Sequence, residues 1–230
     1  MLLSSMGGEG SVAESSSSPY GLCAVRPNAT PVARGGGWEE WEYGQVIPTR
    51  QRLLDAIRTA AVDTPLDDLT PAGVARLAGT HRVTFYRFWP DIRSAIIDAF
   101  AAEVDRLVTV ADDAVAGVAD VARLAEIYDG TMESSLAEVL ARRPIYSTLF
   151  EWPAFHAHVH EVLRQRAQAM VATLSAAGVR VEGNESGTAA VFVAGASLSV
   201  FAAWAADDRV DVAERAREVI AQMPGWWPRG

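Results

Sequence analysis

The chain has 230 residues, half of them apolar, which is enough for one ordinary domain or two small ones around a packed core. Twenty arginines against 29 acidic residues give a formal charge of -9, which excludes a uniformly basic nucleic-acid coat, so that any DNA contact must be local. The single cysteine, Cys23, excludes an internal disulfide and a cysteine-based zinc finger and fits a reducing compartment. No secretory signal pattern opens the chain, so we expect a cytoplasmic protein.

Residues 1–48 are predicted to be a tail and linker outside the folded part of the chain. Residues 1–37 are rich in Ser, Gly and Pro, so they bury too little apolar surface to offset the entropy of ordering and are predicted to be disordered. Residues 38–48 carry two Trp and one Tyr among three Glu. Two interpretations of this segment stay open, because its aromatic residues could dock on the folded part or it could be a linker.

A helical pattern begins at Thr49. Apolar residues recur at helical spacing, with charged residues such as Arg58 on the other side, which predicts an amphipathic helix. The apolar positions are Leu53, Leu54, Ile57, Ala60 and Ala61.

A short helix is predicted next, from Thr70 to Ala78. A threonine side chain can accept a hydrogen bond from a free N–H at a helix start, and proline fits the first helical position, here Pro71. Gly79 suits a left-handed turn, and a third helix is predicted from Arg82 to about Trp89. A longer helix follows Pro90 and extends through Leu107.

The remainder of the chain also has helical periodicity. The predicted fold is all-α, with about nine helices. Helix breaks are expected near Gly117, Pro144, Pro153, residues 178–187, residues 207–211 and Pro224.

Residues 71–90 have the layout of a helix-turn-helix, with a short helix, a glycine turn and a second helix ending at proline. The apolar positions that would pack the two helices together are Val74, Ala78, Phe85 and Phe88, with the small Ala75 at the crossing. The positions left exposed, all able to hydrogen-bond phosphate or base edges, are Thr80, His81, Arg82, Thr84, Tyr86 and Arg87. Residues 50–93 hold seven Arg against five Asp, so the basic excess of the chain is concentrated here.

The segments 53–61, 69–90 and 91–100 together resemble the TetR family of one-component transcriptional regulators. The positions that match the family pattern are Ala75, Gly79, Thr84, Tyr86, Trp89 and Pro90, whereas Thr80, His81, Val83 and Ile92 depart from it. The resemblance implies that Thr84 and Tyr86 contact DNA, Tyr86 at a phosphate, and that Arg82 and Arg87 reach backbone or bases. It also implies that Thr49 and Arg50 approach the DNA backbone.

The same resemblance implies a domain organisation and a function. A three-helix DNA-binding head over residues 49–95 would be joined to an effector-binding and dimerisation body over residues 96–230. We therefore expect a dimeric regulator, a repressor, that binds a palindromic operator in double-stranded DNA and is released by a small hydrophobic or aromatic ligand.

The uncharged run at residues 186–206 is as long as a helix that spans a membrane. Its flanks are acidic on both sides and it is dominated by Ala, Gly and Ser, so we expect a buried helix and no membrane contact. By resemblance it would pair with residues 212–223 and the same two helices of a second subunit, in a four-helix interface.

Aromatic, histidine and methionine residues of the central helices are the candidates for an effector pocket, and the alternative is that most of them are simply core. They are Tyr128, Met132, Tyr146, Phe150, Trp152, Phe155, His156, Met170 and Trp204.

A histidine trio also falls in this region. His156 and His160 share a helix face, with His158 between them, and Glu151 or Glu161 could complete a metal site. A histidine in the effector pocket and histidines on a solvated face are the alternatives. The sequence predicts no bound metal and no cofactor.

Two other functional classes compete with a regulator. The chain lacks a Gly-rich phosphate loop, a nucleophile elbow, an HExxH pair and a Cys nucleophile partnered by His, so the sequence predicts that it is not an enzyme. A helical ligand-binding or interaction protein with a vestigial DNA-binding head remains the alternative.

Overall fold

The computed structural model describes residues 39–110 and 112–229, with side chains from Pro48 onward except at residues 111–113. The predicted disordered tail, residues 1–37, lies outside the described residues. The described part contains ten α-helices, one 3-10 turn and no strand, so the prediction of an all-α fold is confirmed. The helices are α1 Glu39–Asp63, α2 Pro71–Leu77, α3 Arg82–Tyr86, α4 Ile92–Val108, α5 Asp112–Val115, α6 Val121–Ala141, α7 Arg143–Phe150, α8 Pro153–Ala176, α9 Thr188–Ala205 and α10 Val212–Gln222, and the 3-10 turn is Leu66–Asp68.

The first helix begins ten residues earlier than the pattern predicts. The structure places the helix start at Glu39 and Pro48 inside the helix, whereas the sequence predicts a start at Thr49 and a linker before it. Proline lacks a backbone N–H and favours the first turn of a helix, so the pattern placed the boundary at this residue.

The head folds as its local signals predict. The Thr70 hydroxyl accepts a hydrogen bond from the Gly73 amide at 3.1 Å and caps α2, with Pro71 in the first turn. Gly79 has φ 65°, the left-handed conformation that the turn between α2 and α3 requires. Helix α3 ends at Tyr86, three residues before the predicted end at Trp89, because the chain tightens there into a turn.

The packing of α2 against α3 is also as predicted. Val74, Ala75, Ala78 and Phe85 are buried, and Phe88 is half-buried against the same core. The carboxylate of Asp91 then accepts a hydrogen bond from the Ser94 amide at 2.7 Å and begins α4.

The body is a bundle in which α4 packs on α6 and α8, α8 lies along α9, and α10 packs on α6. Predicted helix breaks coincide with observed boundaries, since Pro144 lies in the first turn of α7 and Pro153 begins α8. The loops after α8 and α9 likewise fall within residues 177–187 and 206–211.

Helix α4 belongs to both halves of the molecule. The predicted boundary between head and body, at residues 95 and 96, falls inside this helix. Helix α4 therefore runs without a break from the predicted head into the predicted body.

Candidate functional site

Helix α3 presents a polar surface on the side away from the core. His81, Arg82, Tyr86 and Arg87 are exposed, while Phe85 on the opposite side is fully buried and anchors the helix. The other two predicted contact residues, Thr80 and Thr84, are half-buried at the edge of this surface. Four of the six predicted residues around α3 are thus exposed and two are half-buried, and the apolar Val83, 76% exposed, lies among them.

Two of the exposed side chains are preorganised by each other. The Arg82 guanidinium donates a hydrogen bond to the Tyr86 hydroxyl at 2.9 Å and lies 5.3 Å from the centre of its ring. Tyr86 also packs edge-on against the buried Phe85, with ring centres 5.6 Å apart. A cation and a phenol are therefore held side by side, an arrangement suited to phosphate oxygens.

Thr49 and Arg50, the two DNA contacts predicted at the start of the helical pattern, both bond to other side chains of the protein. Thr49 accepts a hydrogen bond from Arg52 at 3.1 Å, and Arg50 forms an ion pair with Asp98 of α4. The Arg50 guanidinium also lies 5.6 Å from the ring centre of Trp89, whose indole N–H donates to Asp98 at 2.8 Å. Asp98 thereby ties both ends of the head to α4, and this role of Arg50 was not predicted.

A second polar cluster joins the head to the body lower on α4. Glu103 is only 4% exposed, and both of its carboxylate oxygens accept from Arg142, at 2.8 and 2.9 Å. Arg58 of α1 donates to the Ala99 carbonyl of α4 at 3.1 and 3.2 Å and lies 3.9 Å from Glu103. This cluster therefore connects α1, α4 and the junction of α6 with α7.

An apolar cavity of about 80 Å³ lies in the body, between α4, α6, α8 and α9. Three of the nine predicted effector residues line it, namely Tyr128, Met132 and Met170. Burial raises the pKa of the Tyr128 hydroxyl, so this phenol stays protonated at neutral pH. The full lining is Val108, Tyr128, Thr131, Met132, Ser135, Leu163, Arg166, Ala167, Met170, Val193, Ser197, Phe201 and Trp227.

Most of the other predicted effector residues fill the core of the body. Tyr146, Phe155 and Trp204 are fully buried, and the Trp204 indole N–H donates to the Leu136 carbonyl at 2.9 Å. Phe150 stacks on Tyr146 and meets Phe155 edge-on, with ring centres 6.2 and 5.4 Å apart. The structure does not bring these four to the cavity.

Trp152 and His156 also lie elsewhere. Trp152 is buried beneath Arg93 at the start of α4, with the guanidinium 4.2 Å from its ring centre. His156 is exposed and lines an open depression that also contains Glu151 and His160. Across the residues the structure describes, no group of three or more His, Cys, Asp or Glu is placed to hold a metal ion.

Ten of the thirteen lining residues were not predicted, Arg166 and Trp227 among them. Arg166 lies on the same face of α8 as Leu163 and Met170, but a long cation at helical spacing is typical of a solvated face. Trp227 follows the last helix, where no periodicity predicts its position, and its indole donates to Asp129 at 3.2 Å.

Helices α9 and α10 leave an apolar surface without a partner in the described part of the chain. Val191 and Phe192 are 50% and 57% exposed, and a groove of about 540 Å³ runs between the two helices. The groove is lined by Phe192, Ala196, Val200, Arg215, Glu218, Val219, Gln222 and Met223. By length and composition α9 could cross a membrane, and half of it is buried within the bundle.

No family model matches the chain. Uncharacterised HTH-type transcriptional regulators from Mycobacterium tuberculosis and Mycobacterium bovis are 36% identical over 101 residues, which is 40% of this chain and 53% of each relative. The match thus spans about half the length of these curated relatives.

Solved structures align over most of the chain. FadR from Thermus thermophilus, a TetR-family transcriptional repressor in complex with lauroyl-CoA, gives a TM-score of 0.58 at 16% identity and covers 76% of this chain and 92% of its own. RolR in complex with resorcinol gives a TM-score of 0.52 at 19% identity and covers 80% of this chain and 98% of its own. These similarities confirm the resemblance at the level of the fold.

Proposed function

We propose that this chain, which has the fold of TetR-family regulators, is a dimeric transcriptional repressor that binds a palindromic operator and is released by a small ligand. The observation that carries the proposal is the exposed α3 surface, where Arg82, Tyr86 and Arg87 stand on a helix fixed from behind by Phe85. A recognition helix needs a rigid inner face and hydrogen-bonding groups on its outer face. In a chain of net charge -9, such a local basic surface is the feature suited to DNA.

Dimerisation is supported by the apolar surface of α9 and α10. Exposed large side chains such as Val191 and Phe192 are unfavourable in water, and the small Ala196 in the groove beside Phe192 allows another helix to approach closely. A second copy of the same two helices would cover this surface in a two-fold interface. Two recognition helices held about one DNA turn apart would then bind an inverted repeat with combined affinity.

Ligand control is supported by the position of the cavity beside α4. Val108 at the end of α4 lines the cavity, while Asp98 of the same helix holds Arg50 and Trp89 of the head. A ligand that enlarges the cavity would move α4 and change the separation of the two heads. A tenfold preference for the displaced state is worth about 1.4 kcal/mol, and a nearly complete switch needs roughly 5.5 kcal/mol.

The test is binding of the purified chain to duplexes selected from genomic DNA, measured by fluorescence anisotropy at several salt concentrations. We expect affinity for an inverted repeat that falls steeply with salt, because phosphate contacts release counterions. Arg87→Ala and Tyr86→Phe should each weaken binding by about tenfold, since each removes one hydrogen-bonding group from the surface.

Arg123→Ala is the matched control. It removes an exposed ion pair with Glu126 on α6, at 2.6 Å, and should leave DNA affinity unchanged. A folded protein that shows no salt-dependent binding to any selected duplex would contradict the proposal and favour an interaction protein with a vestigial head.

A further inference from the structure

We infer that the effector is a small apolar acid whose carboxylate binds Arg166 and displaces Asp105 of α4 from it. The inference rests on the proposed function, in that it takes the cavity as the effector site. The first observation is the charge of the cavity lining. Among the described residues that line the cavity, Arg166 is the single charged side chain and none carries a carboxylate. An apolar cavity with one cation on its wall suits an apolar ligand with one negative group.

Three of the other polar side chains of the cavity already donate their protons to groups of the protein. The hydroxyls of Thr131 and Ser135 donate to backbone carbonyls one turn earlier on α6, each at 2.8 Å. The indole N–H of Trp227 donates to Asp129. Arg166 is the one charged donor in the described lining, and its planar guanidinium matches a carboxylate.

Arg166 binds a carboxylate in this structure too. Its Nε and Nη2 donate to the two carboxylate oxygens of Asp105, at 2.6 and 2.8 Å, in the two-pronged geometry that a ligand carboxylate would reproduce. Both side chains are about two-fifths exposed, at 40% and 38%. Because the pair is open to water, a ligand carboxylate can reach the guanidinium and take the place of Asp105 in the same two-pronged geometry.

The small size of the cavity links this exchange of carboxylates to movement of the cavity walls. A volume of about 80 Å³ is about half of the 150 Å³ cavity that holds benzene in another protein, so a ligand of that size either extends out of the cavity or pushes its walls apart. The flexible side chains of Met132 and Met170 can yield on the α6 and α8 sides. On the α4 side the Asp105 ion pair fixes the wall, and its exchange frees α4 to move.

The experiment compares straight-chain carboxylates from hexanoate to decanoate with the alcohols of the same lengths, at pH 7.5, where the acids are ionised. Binding to the full chain is measured by calorimetry, and release of the selected duplex is measured by anisotropy. We expect at least one acid to bind tenfold or more tightly than its alcohol. Arg166→Gln should reduce that ratio to near one.

Asp105→Asn supplies an independent variant that keeps the shape of the side chain. It removes the competing charge, so acid affinity should rise several-fold while alcohol affinity stays unchanged. Arg164→Gln is the control, because Arg164 pairs with Glu161 on α8 and does not line the cavity. Thermal unfolding checks that each variant is folded, and the Asp105 result decides the question if Arg166→Gln does not fold.

Three results would overturn the inference: no acid of the series binds, acids bind no more tightly than alcohols, or Asp105→Asn leaves acid affinity unchanged. These results are distinguishable from failure of the proposed function. An alcohol that binds and releases the duplex would preserve a ligand-controlled repressor while removing the role of Arg166. Absence of any salt-dependent DNA binding would instead contradict the proposed function as a transcriptional regulator.

Discussion

Replacement of Asp98 by alanine tests whether α4 holds the DNA-binding head in position. The Asp98 carboxylate accepts from the indole of Trp89 at 2.8 Å and forms the ion pair with Arg50. Alanine removes both interactions, whereas asparagine keeps an oxygen acceptor for Trp89 and removes only the charge. The two variants therefore separate the hydrogen bond from the ion pair.

The magnitude follows from burial. Trp89 is only 5% exposed, so an unpartnered indole N–H at this position should cost about 1–3 kcal/mol of unfolding free energy. The Arg50 side chain is 43% exposed, and an ion pair this open to solvent contributes at most about 1 kcal/mol. We expect Asp98→Ala to lose about 2–3 kcal/mol and Asp98→Asn to lose at most about 1 kcal/mol.

Chemical denaturation and duplex binding measure the two consequences. Asp98→Ala should unfold at lower denaturant and weaken operator binding, because a head detached from α4 loses its fixed orientation. Asp68→Ala is the control, since it removes an exposed acidic residue from the same head and should change neither property appreciably. Equal unfolding free energies for the alanine and asparagine variants would refute the assigned role of the Trp89 hydrogen bond.

Three further predictions concern the interface, the core and the pH response. Phe192→Glu should give monomers by sedimentation, because it places a charge in the proposed interface, while Val62→Glu, 68% exposed on α1, should leave the dimer intact. Arg142→Leu should cost about 3 kcal/mol in denaturant unfolding, since Glu103 then lacks its closest partner, and a loss below about 1 kcal/mol would show that the remaining arginines suffice. Hydrogen bonds from Arg164 lower the pKa of Glu161 from 4.5 to about 2. The stability that this ion pair contributes is therefore present above pH 4.5 and is lost as the pH falls through 2, and NMR titration of the Glu161 carboxyl measures that pKa.

The start of α2 and the turn between α2 and α3 could be predicted to the residue because their signals are local. Thr70, Pro71 and Gly79 act on backbone groups within one turn of themselves, so their roles do not depend on distant parts of the chain. The exposed face of α3 then follows from helical periodicity once Phe85 is assigned to the core. The earlier start of α1, at Glu39, could not be predicted, since a proline inside a helix and one at its start look alike in sequence.

The cavity could be predicted only in part because four helices must pack before it exists. Aromatic type alone selected Tyr146 and Trp204, which fill the core of the body, whereas Tyr128 reaches the cavity. Side-chain type is the same in the two cases, and only the rotation of each helix against its neighbours separates them. Arg166 could not be predicted as a cavity residue, because its ion pair with Asp105 joins residues sixty-one positions apart in the sequence.

The arrangement on α4 gives these contacts a common mechanical basis. Asp98 and Asp105 are seven positions apart, so they lie on one side of the helix and about 10 Å from each other along its axis. One holds the head through Arg50 and Trp89, and the other holds the cavity wall through Arg166. If α4 moves as a stiff rod, the exchange of partner that we propose at Asp105 would also displace Asp98, which supports the head. The proposed coupling therefore needs no direct contact between the cavity and the DNA-binding surface.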